Sequence, residues 1–286
     1  MINAYPLTFM VGPIEITGFG ITMMLVFLIS AWVVDRDLKR HGFASDYSGD
    51  LVLGAVIGGI LGAKIWYAAL HGPASLFARD GLVYYGGFLG GTLGVMLMGW
   101  RRRVPIRWTM HLMAPALAAG YAIGRVGCYV VGDDYGRPTD LPWAVAFPQG
   151  SPPSLAGVMA TEFGVAPPPG ATPDTVLSVH PTQLYEVAIM LAVFALLWAW
   201  RVQPKGTGWL FGAYLVFAGV ERFAVEFLRA KDDRFLGGLT YAQGTSVLLV
   251  LVGVAIWSTL AAKPPVDPGD WLRRGGGSTK PAKNRA

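Results

Sequence analysis

The chain has 286 residues, 53% of them hydrophobic and 14% charged, and its mean hydropathy is +0.45. Soluble domains carry roughly 25% charged residues, so this composition excludes an ordinary cytosolic enzyme, and its apolar excess excludes a disordered chain. A single cysteine excludes a disulfide framework and a thiolate zinc site, and the net charge of +5 is placed as membrane topology rather than nucleic-acid binding would place it.

Apolar runs near bilayer length recur along the chain, and roughly 20 such residues span a membrane. The expected spans are 16–34, 51–70, 82–100, 111–132, 183–200, 208–227 and 241–261, about seven in all. The fold class expected is therefore an all-α polytopic membrane protein. The segment before the first span carries only Glu15 and no basic region, so that run reads as a span and not a signal peptide. In the second and third spans, Gly54, Gly58 and Gly62, and Gly86, Gly90 and Gly94, form small-residue ridges suited to helix packing. Lys64 sits late in the second span, placed either to snorkel to headgroups or to touch a lipid phosphate. Tyr84 and Tyr85 open the third span, where an aromatic belt is the plain reading.

The fourth span ends in Gly124-Arg125-Val126-Gly127-Cys128-Tyr129, followed by Gly132-Asp133-Asp134-Tyr135-Gly136. Arg125 inside a span needs a ligand, or an ion pair with Asp133 or Asp134. The connection 133–182 is rich in Pro and Gly and long enough to be functional; it is expected to be partly mobile and to gate substrate access. At the start of the fifth span, His180-Pro181-Thr182-Gln183-Leu184-Tyr185-Glu186 puts Gln183 and Glu186 on one helix face. In the sixth, Arg222, Glu226 and Arg229 share a face, and Glu221 points elsewhere. That stripe either binds an anion or neutralises itself as a structural network.

Lys and Arg fall about fifteen to five in favour of the loops holding Arg36, Arg101 and Arg201 and the C-terminal tail. The expected topology has the N-terminus outside and the C-terminus in the cytoplasm. Residues 1–262 would form the seven-helix domain, with 133–182 as an outer loop, and 263–286 a basic, disordered cytoplasmic tail. All the charged clusters then lie at outer helix ends. Two arginines there suit a phosphate, because the guanidinium fork matches its oxygens. No phosphate loop, metal cluster or Ser–His–Asp arrangement is evident, so no cofactor and no metal is expected, and no nucleic acid.

These segments resemble the bacterial prolipoprotein diacylglyceryl transferases. Tyr84 to Gly91 is similar to the family's glycine-rich segment, Gly124 to Trp143 to its signature, His180 to Glu186 to its His-Pro-Ser-Gln-Leu-Tyr-Glu, and Arg222 to Phe227 to its Arg-Phe-x-Val-Glu-Phe. The resemblance implies an inner-membrane enzyme that moves the diacylglyceryl group of phosphatidylglycerol to the lipobox cysteine of a prolipoprotein, releasing glycerol 1-phosphate. Carried over by position, Arg125 and Arg222 would hold the phosphate, with Gly136, Gln183 and Glu186 also on the lipid side, where the charge of Lys64 late in the second span adds it as a further lipid contact. Arg222, Glu226, Tyr85 and Asp133 would form the catalytic set, and Tyr85, Asp133 and Glu226 are the candidate bases. Cys128 stands where the signature often has Asn, Phe19 in an early Tyr position, His111 where many members have Asp, and Asp133 in place of Glu. The rival readings are a phospholipid transporter or flippase, and a non-catalytic lipid-binding relative. An absence of inverted repeats counts against the transporter.

Overall fold

Long apolar runs with few breakers wind into helices, because only a helix satisfies its own backbone in hydrocarbon. The computed structural model describes residues 2–77, 81, 83–231, 234–236 and 238–273. Among them the long helices are α1 (Gly18–Arg40), α2 (Asp46–His71), α3 (Tyr84–Arg101) and α4 (Ile106–Val131), with a short α5 (Ala156–Thr161). They continue as α6 (Thr182–Trp200), α7 (Trp209–Val225), α8 (Tyr241–Ala261) and a short α9 (Asp270–Arg273). The protein is mostly helical. Five helices, α1, α2, α4, α6 and α8, are long and apolar enough to cross a membrane. Side chains such as Leu93, Trp100 and Leu251 stand exposed, as suits a surface solvated by lipid and not water.

Several boundaries differ from expectation. α1 runs past 34 because Lys39 pairs with Asp35 at 2.7 Å and Arg40 with Asp37 at 2.9 Å, which stitches charged residues into the last turns. α7 stops at Val225, and Glu226–Leu228 continues as a tighter 3₁₀ turn. Arg229 therefore lies beyond the helix, and the stripe with Arg222 and Glu226 is completed across a change of backbone. Leu82, the expected start of the third span, lies outside the described residues, as do Arg79 and the tail from 274 onward.

The chain divides into two compact units. The first comprises residues up to 29, 117–203 and 210–258. It carries short strands that the sequence reading did not anticipate. Strands β1 (Ile2–Asn3), β4 (Val145–Ala146) and β5 (Ser178–Val179) form a small sheet in the order β1-β4-β5. Strands β2 (Thr8–Val11) and β3 (Ile14–Thr17) form an antiparallel hairpin, with Thr8 opposite Thr17. A second hairpin joins β6 (Arg234–Leu236) to β7 (Leu239–Thr240). The connection 133–182, rich in Pro and Gly, has a hydrophobic core in Tyr135, Val145, Phe147, Met159, Leu177 and Val179. These buried side chains come from four short segments, around Tyr135, Val145–Phe147, Met159 and Leu177–Val179. Tyr135 stacks on Phe147 with centroids 5.4 Å apart and donates its hydroxyl to Pro152 O at 2.9 Å.

The second unit comprises 30–116, 204–209 and the segment from 259. Its centre is a glycine seam. Gly54, Gly58 and Gly62 of α2 face Gly94, Gly90 and Gly86 of α3 so closely that a Cβ on any of them would strike a backbone carbonyl of the opposite helix. Backbone-to-backbone packing of this kind maximises dispersion contact where no hydrophobic effect operates between helices. The expected disordered tail departs from expectation at its start: residues 263–273 hold α9, with Leu272 buried and Trp271 beside Arg102 and Tyr47. Arg102 is fixed in turn by two hydrogen bonds to Asp50, at 2.7 and 2.9 Å. Apolar anchors inside a polar segment order the chain where composition alone predicts a coil.

Candidate active site

In the first unit, the C-terminal part of α4 gives Arg125, the turn after it gives Asp134, α6 gives Glu186, α7 gives Arg222, and the 3₁₀ turn and its exit give Glu226 and Arg229. These six side chains close a ring of alternating charge. Arg125 Nε lies 2.9 Å from Glu186 Oε2, and Glu186 Oε1 lies 3.5 Å from Arg222 Nη1. Arg222 Nη2 is 2.8 Å from Glu226 Oε2, which lies 3.9 Å from Arg229 Nε. Arg229 Nη2 contacts Asp134 Oδ1, and Asp134 Oδ2 returns to Arg125 Nη1 at 2.8 Å.

Three guanidiniums and three carboxylates leave the ring formally neutral. Glu186 is fully buried, Glu226 and Arg229 nearly so, while the Asp134 side chain is 41% exposed. Removing one member of a buried network strands an uncompensated charge, which typically costs about 3–5 kcal/mol. The ring is therefore closed to solvent on its buried side and open at Asp134.

Neighbours complete the site. The Tyr121 hydroxyl donates to Glu186 Oε1 at 3.2 Å and accepts from Arg125 Nη2 at 3.4 Å, with its ring 5.3 Å from that guanidinium. Sequence reading missed Tyr121, although it sits one turn before Arg125 on the same face. Glu221, expected to point elsewhere, is buried within electrostatic reach of Glu186, Arg125 and Arg222. Gln183 Nε2 donates to Asp133 O at 2.6 Å and Thr182 Oγ1 to Asp134 O at 2.9 Å, so α6 pins the backbone of both aspartates. Gly136 donates to His180 O at 2.8 Å, and a Cβ there would strike Leu228 O and the His180 side chain. This close backbone approach delivers Arg229 to the ring.

Asp133 differs from its neighbour. Burial, helped by the adjacent charge of Asp134, pushes its carboxyl above the ordinary range, and its Oδ1 is buried without a hydrogen-bond partner. Burial works in the same direction on Asp134, but Arg229 and then Arg125 outweigh it and hold that carboxyl well below the ordinary range. Burial also lowers His180, which keeps its imidazole neutral near pH 7.

Cys128, Asp133 and Asp134 bring three potential ligand atoms within 4.8 Å of one another. Arg125 donates to Cys128 Sγ at 3.7 Å and two guanidiniums already neutralise Asp134, so the local field disfavours a cation. Of the expected site residues, Arg125, Glu186, Arg222 and Glu226 meet in the ring, with Asp133, Gln183 and Gly136 supporting it. Lys64 and Tyr85 belong to the second unit. There Lys64 Nζ lies 3.4 Å from Gly81 O and over the Tyr67 ring, and Tyr85 is exposed at the start of α3.

A family profile described as prolipoprotein diacylglyceryl transferase matches residues 6–259. The phosphatidylglycerol–prolipoprotein diacylglyceryl transferase of Pseudomonas putida is 31% identical over 281 residues, covering 92% of this chain and 97% of that protein. The protein of the same name from Burkholderia thailandensis is 32% identical over 305 residues, covering 98% of each chain. That from Bordetella bronchiseptica is 29% identical over 278 residues, covering 91% of this chain and 96% of the relative.

Proposed function

The chain belongs to the prolipoprotein diacylglyceryl transferase family, and from that premise we propose that it moves the diacylglyceryl group of phosphatidylglycerol to the lipobox cysteine of prolipoproteins, releasing glycerol 1-phosphate. The observation that carries this reading is the ring: three guanidiniums gathered at the ends of apolar helices, with one open side. A phosphodiester headgroup is the anion a membrane offers there, and arginine forks match its oxygens.

In the reaction the substrate thiolate forms an S–C bond to the glyceryl carbon as the C–O bond to phosphate breaks, and the electron pair leaves on the phosphate oxygen. Arg125 and Arg222 meet that growing charge. Donors preorganised at a developing charge are worth about 2.7–4 kcal/mol each. Glu186 and Glu226 aim the two arginines.

The thiol, with an ordinary pKa of about 8.5, must lose its proton. Among Tyr85, Asp133 and Glu226, the surroundings favour Asp133 as acceptor. Its carboxyl is raised by burial and its Oδ1 is buried without a hydrogen-bond partner, whereas Glu226 is committed to Arg222 and Arg229.

The same reading has all seven long helices crossing a bacterial inner membrane, the N-terminus outside, the C-terminus cytoplasmic and residues 133–182 on the outer face. The Lys/Arg asymmetry supports that orientation. A cytoplasm-only reporter fused to the C-terminus should be active, and a dark reporter at normal expression reverses the topology. The activity itself is tested by incubating purified protein with labelled phosphatidylglycerol and a lipobox peptide. A thioether-linked diacylglyceryl peptide is the expected product, and its absence with folded protein overturns the reading.

A further inference from the structure

Asp134 is the one ring carboxylate with substantial exposure, at 41% of its side chain, against a fully buried Glu186 and a Glu226 side chain at 1%. It bridges two guanidiniums, Arg125 and Arg229, one through each oxygen. That is the arrangement a phosphate would adopt with its two unesterified oxygens. Its backbone is fixed independently of the side chain. Asp134 has φ of +58°, its carbonyl accepts from Thr182 Oγ1, and the residues that follow pair with Ala230 and His180. The carboxylate can thus swing out by side-chain rotation alone, leaving the cradle standing.

We propose that Asp134 is a built-in occupant of the lipid phosphate's place, which phosphatidylglycerol displaces on binding and which returns to expel the product phosphate. The idea rests on the reading above, in which the ring receives a headgroup phosphate. Charge counting supports it. Within the ring, withdrawing Asp134 leaves three guanidiniums facing Glu186 and Glu226, one positive charge more than before, and the buried Glu221 beside it is the same in both states. A phosphodiester brings one negative charge and restores neutrality. The leaving glycerol 1-phosphate is a monoester, with a charge of about −1.5 to −2 at pH 7, so it overfills the cradle. Asp134, held strongly ionised, then competes for the arginines. The two unesterified oxygens accordingly take the places of the Asp134 oxygens on Arg125 and Arg229, Arg222 stays with Arg125 to meet the charge on the departing oxygen, and Asp134 is a positioning residue that never touches the reacting carbon.

Two measurements test this. In wild-type enzyme, a water-soluble carbodiimide should label Asp134 faster in nanodiscs containing phosphatidylglycerol than in nanodiscs of phosphatidylcholine alone, read by peptide mass spectrometry. Asp134→Asn removes the competing charge and suits the left-handed backbone. It should bind glycerol 1-phosphate at least about tenfold more tightly, the size expected when one charge-assisted contact stops competing. It should also show a lower KM for phosphatidylglycerol, whereas Asp134→Glu should restore the weaker binding. Labelling that phosphatidylglycerol leaves unchanged or slows overturns the proposal, as does a folded Asp134→Asn that binds no more tightly. The phosphate reading survives both of those results provided Arg125→Lys weakens glycerol 1-phosphate binding. If neither wild type nor Asp134→Asn binds glycerol 1-phosphate or phosphatidylglycerol, the phosphate reading falls and the proposal with it.

Discussion

The glycine seam of α2 and α3 and the ionic ring of α4, α6 and α7 answer the same problem in opposite ways. Both must hold helices together in a solvent as apolar as their own side chains. The seam removes side chains until backbones touch, and it contains nothing that can react. The ring sets Arg125, Glu186 and Arg222 on such helices and closes them with Asp134, Glu226 and Arg229 from the turns at their ends; a charge at a helix centre costs about 2.5–3.5 kcal/mol to insert. One turn of glycine-spaced helix would have fastened α6 to α7 more cheaply. Cost without structural necessity is the physical argument for the proposal that the ring handles the lipid phosphate.

The comparison breaks most visibly at Arg222. Arg222→Lys keeps the charge but loses the planar fork, and transfer should fall about 10²–10³-fold through kcat more than through KM. Single-turnover assays at saturating lipid measure this, and an effect confined to KM would make Arg222 a ground-state contact.

Asp133→Asn should lower kcat/KM by at least about 10²-fold, the range of general-base catalysis. The pH profile sharpens the test. A base works as the carboxylate, so wild-type activity should rise with pH through the elevated Asp133 value, and the variant should lose that limb. For folding the sign is opposite. The raised carboxyl contributes stability at low pH that is lost as pH climbs through its folded-state value.

The seam should fail differently. Gly58→Ala drives a methyl into the Gly90 carbonyl, and overpacking of that kind costs about 1–3 kcal/mol. Melting temperature and abundance should drop, while transfer per folded molecule persists. The smallest effect is expected at Cys128→Ala. The chemistry uses the substrate's thiol, and the Arg125 contact to Sγ at 3.7 Å is weak, so activity should change less than about threefold. Near-complete loss with normal folding would force a covalent intermediate on Cys128.

These regions also differ in how legible they were. The seam could be read from spacing alone, because Gly54, Gly58 and Gly62 repeat at the helical period. Arg125, Glu186, Arg222 and Glu226 were legible because charge in an apolar run stands out. What escaped was whatever depended on backbone that is not helix. Ring closure needs Asp134 in the left-handed region, and Arg229 just past a 3₁₀ turn that ends α7 early.

The core of 133–182 escaped for a related reason. Tyr135, Phe147, Met159 and Leu177 lie in apolar stretches too short to read as elements, separated by Pro and Gly, and only folding collects them. The β2–β3 hairpin lay hidden at the edge of the first apolar run, where Gly12-Pro13 was the available signal. Trp271 and Leu272 anchor the start of a tail whose composition suggests a coil.

The central claim is that the ring exists to handle lipid phosphate and not to neutralise itself. The paired variant Arg222→Met, Glu226→Leu removes one charge of each sign, fills the space with apolar atoms, and should leave the protein inserted and folded. Single-turnover transfer from phosphatidylglycerol to a lipobox peptide, measured beside abundance and melting, tests the claim. The account predicts near-wild-type abundance with transfer reduced to background. Transfer at the wild-type rate in this variant would contradict it.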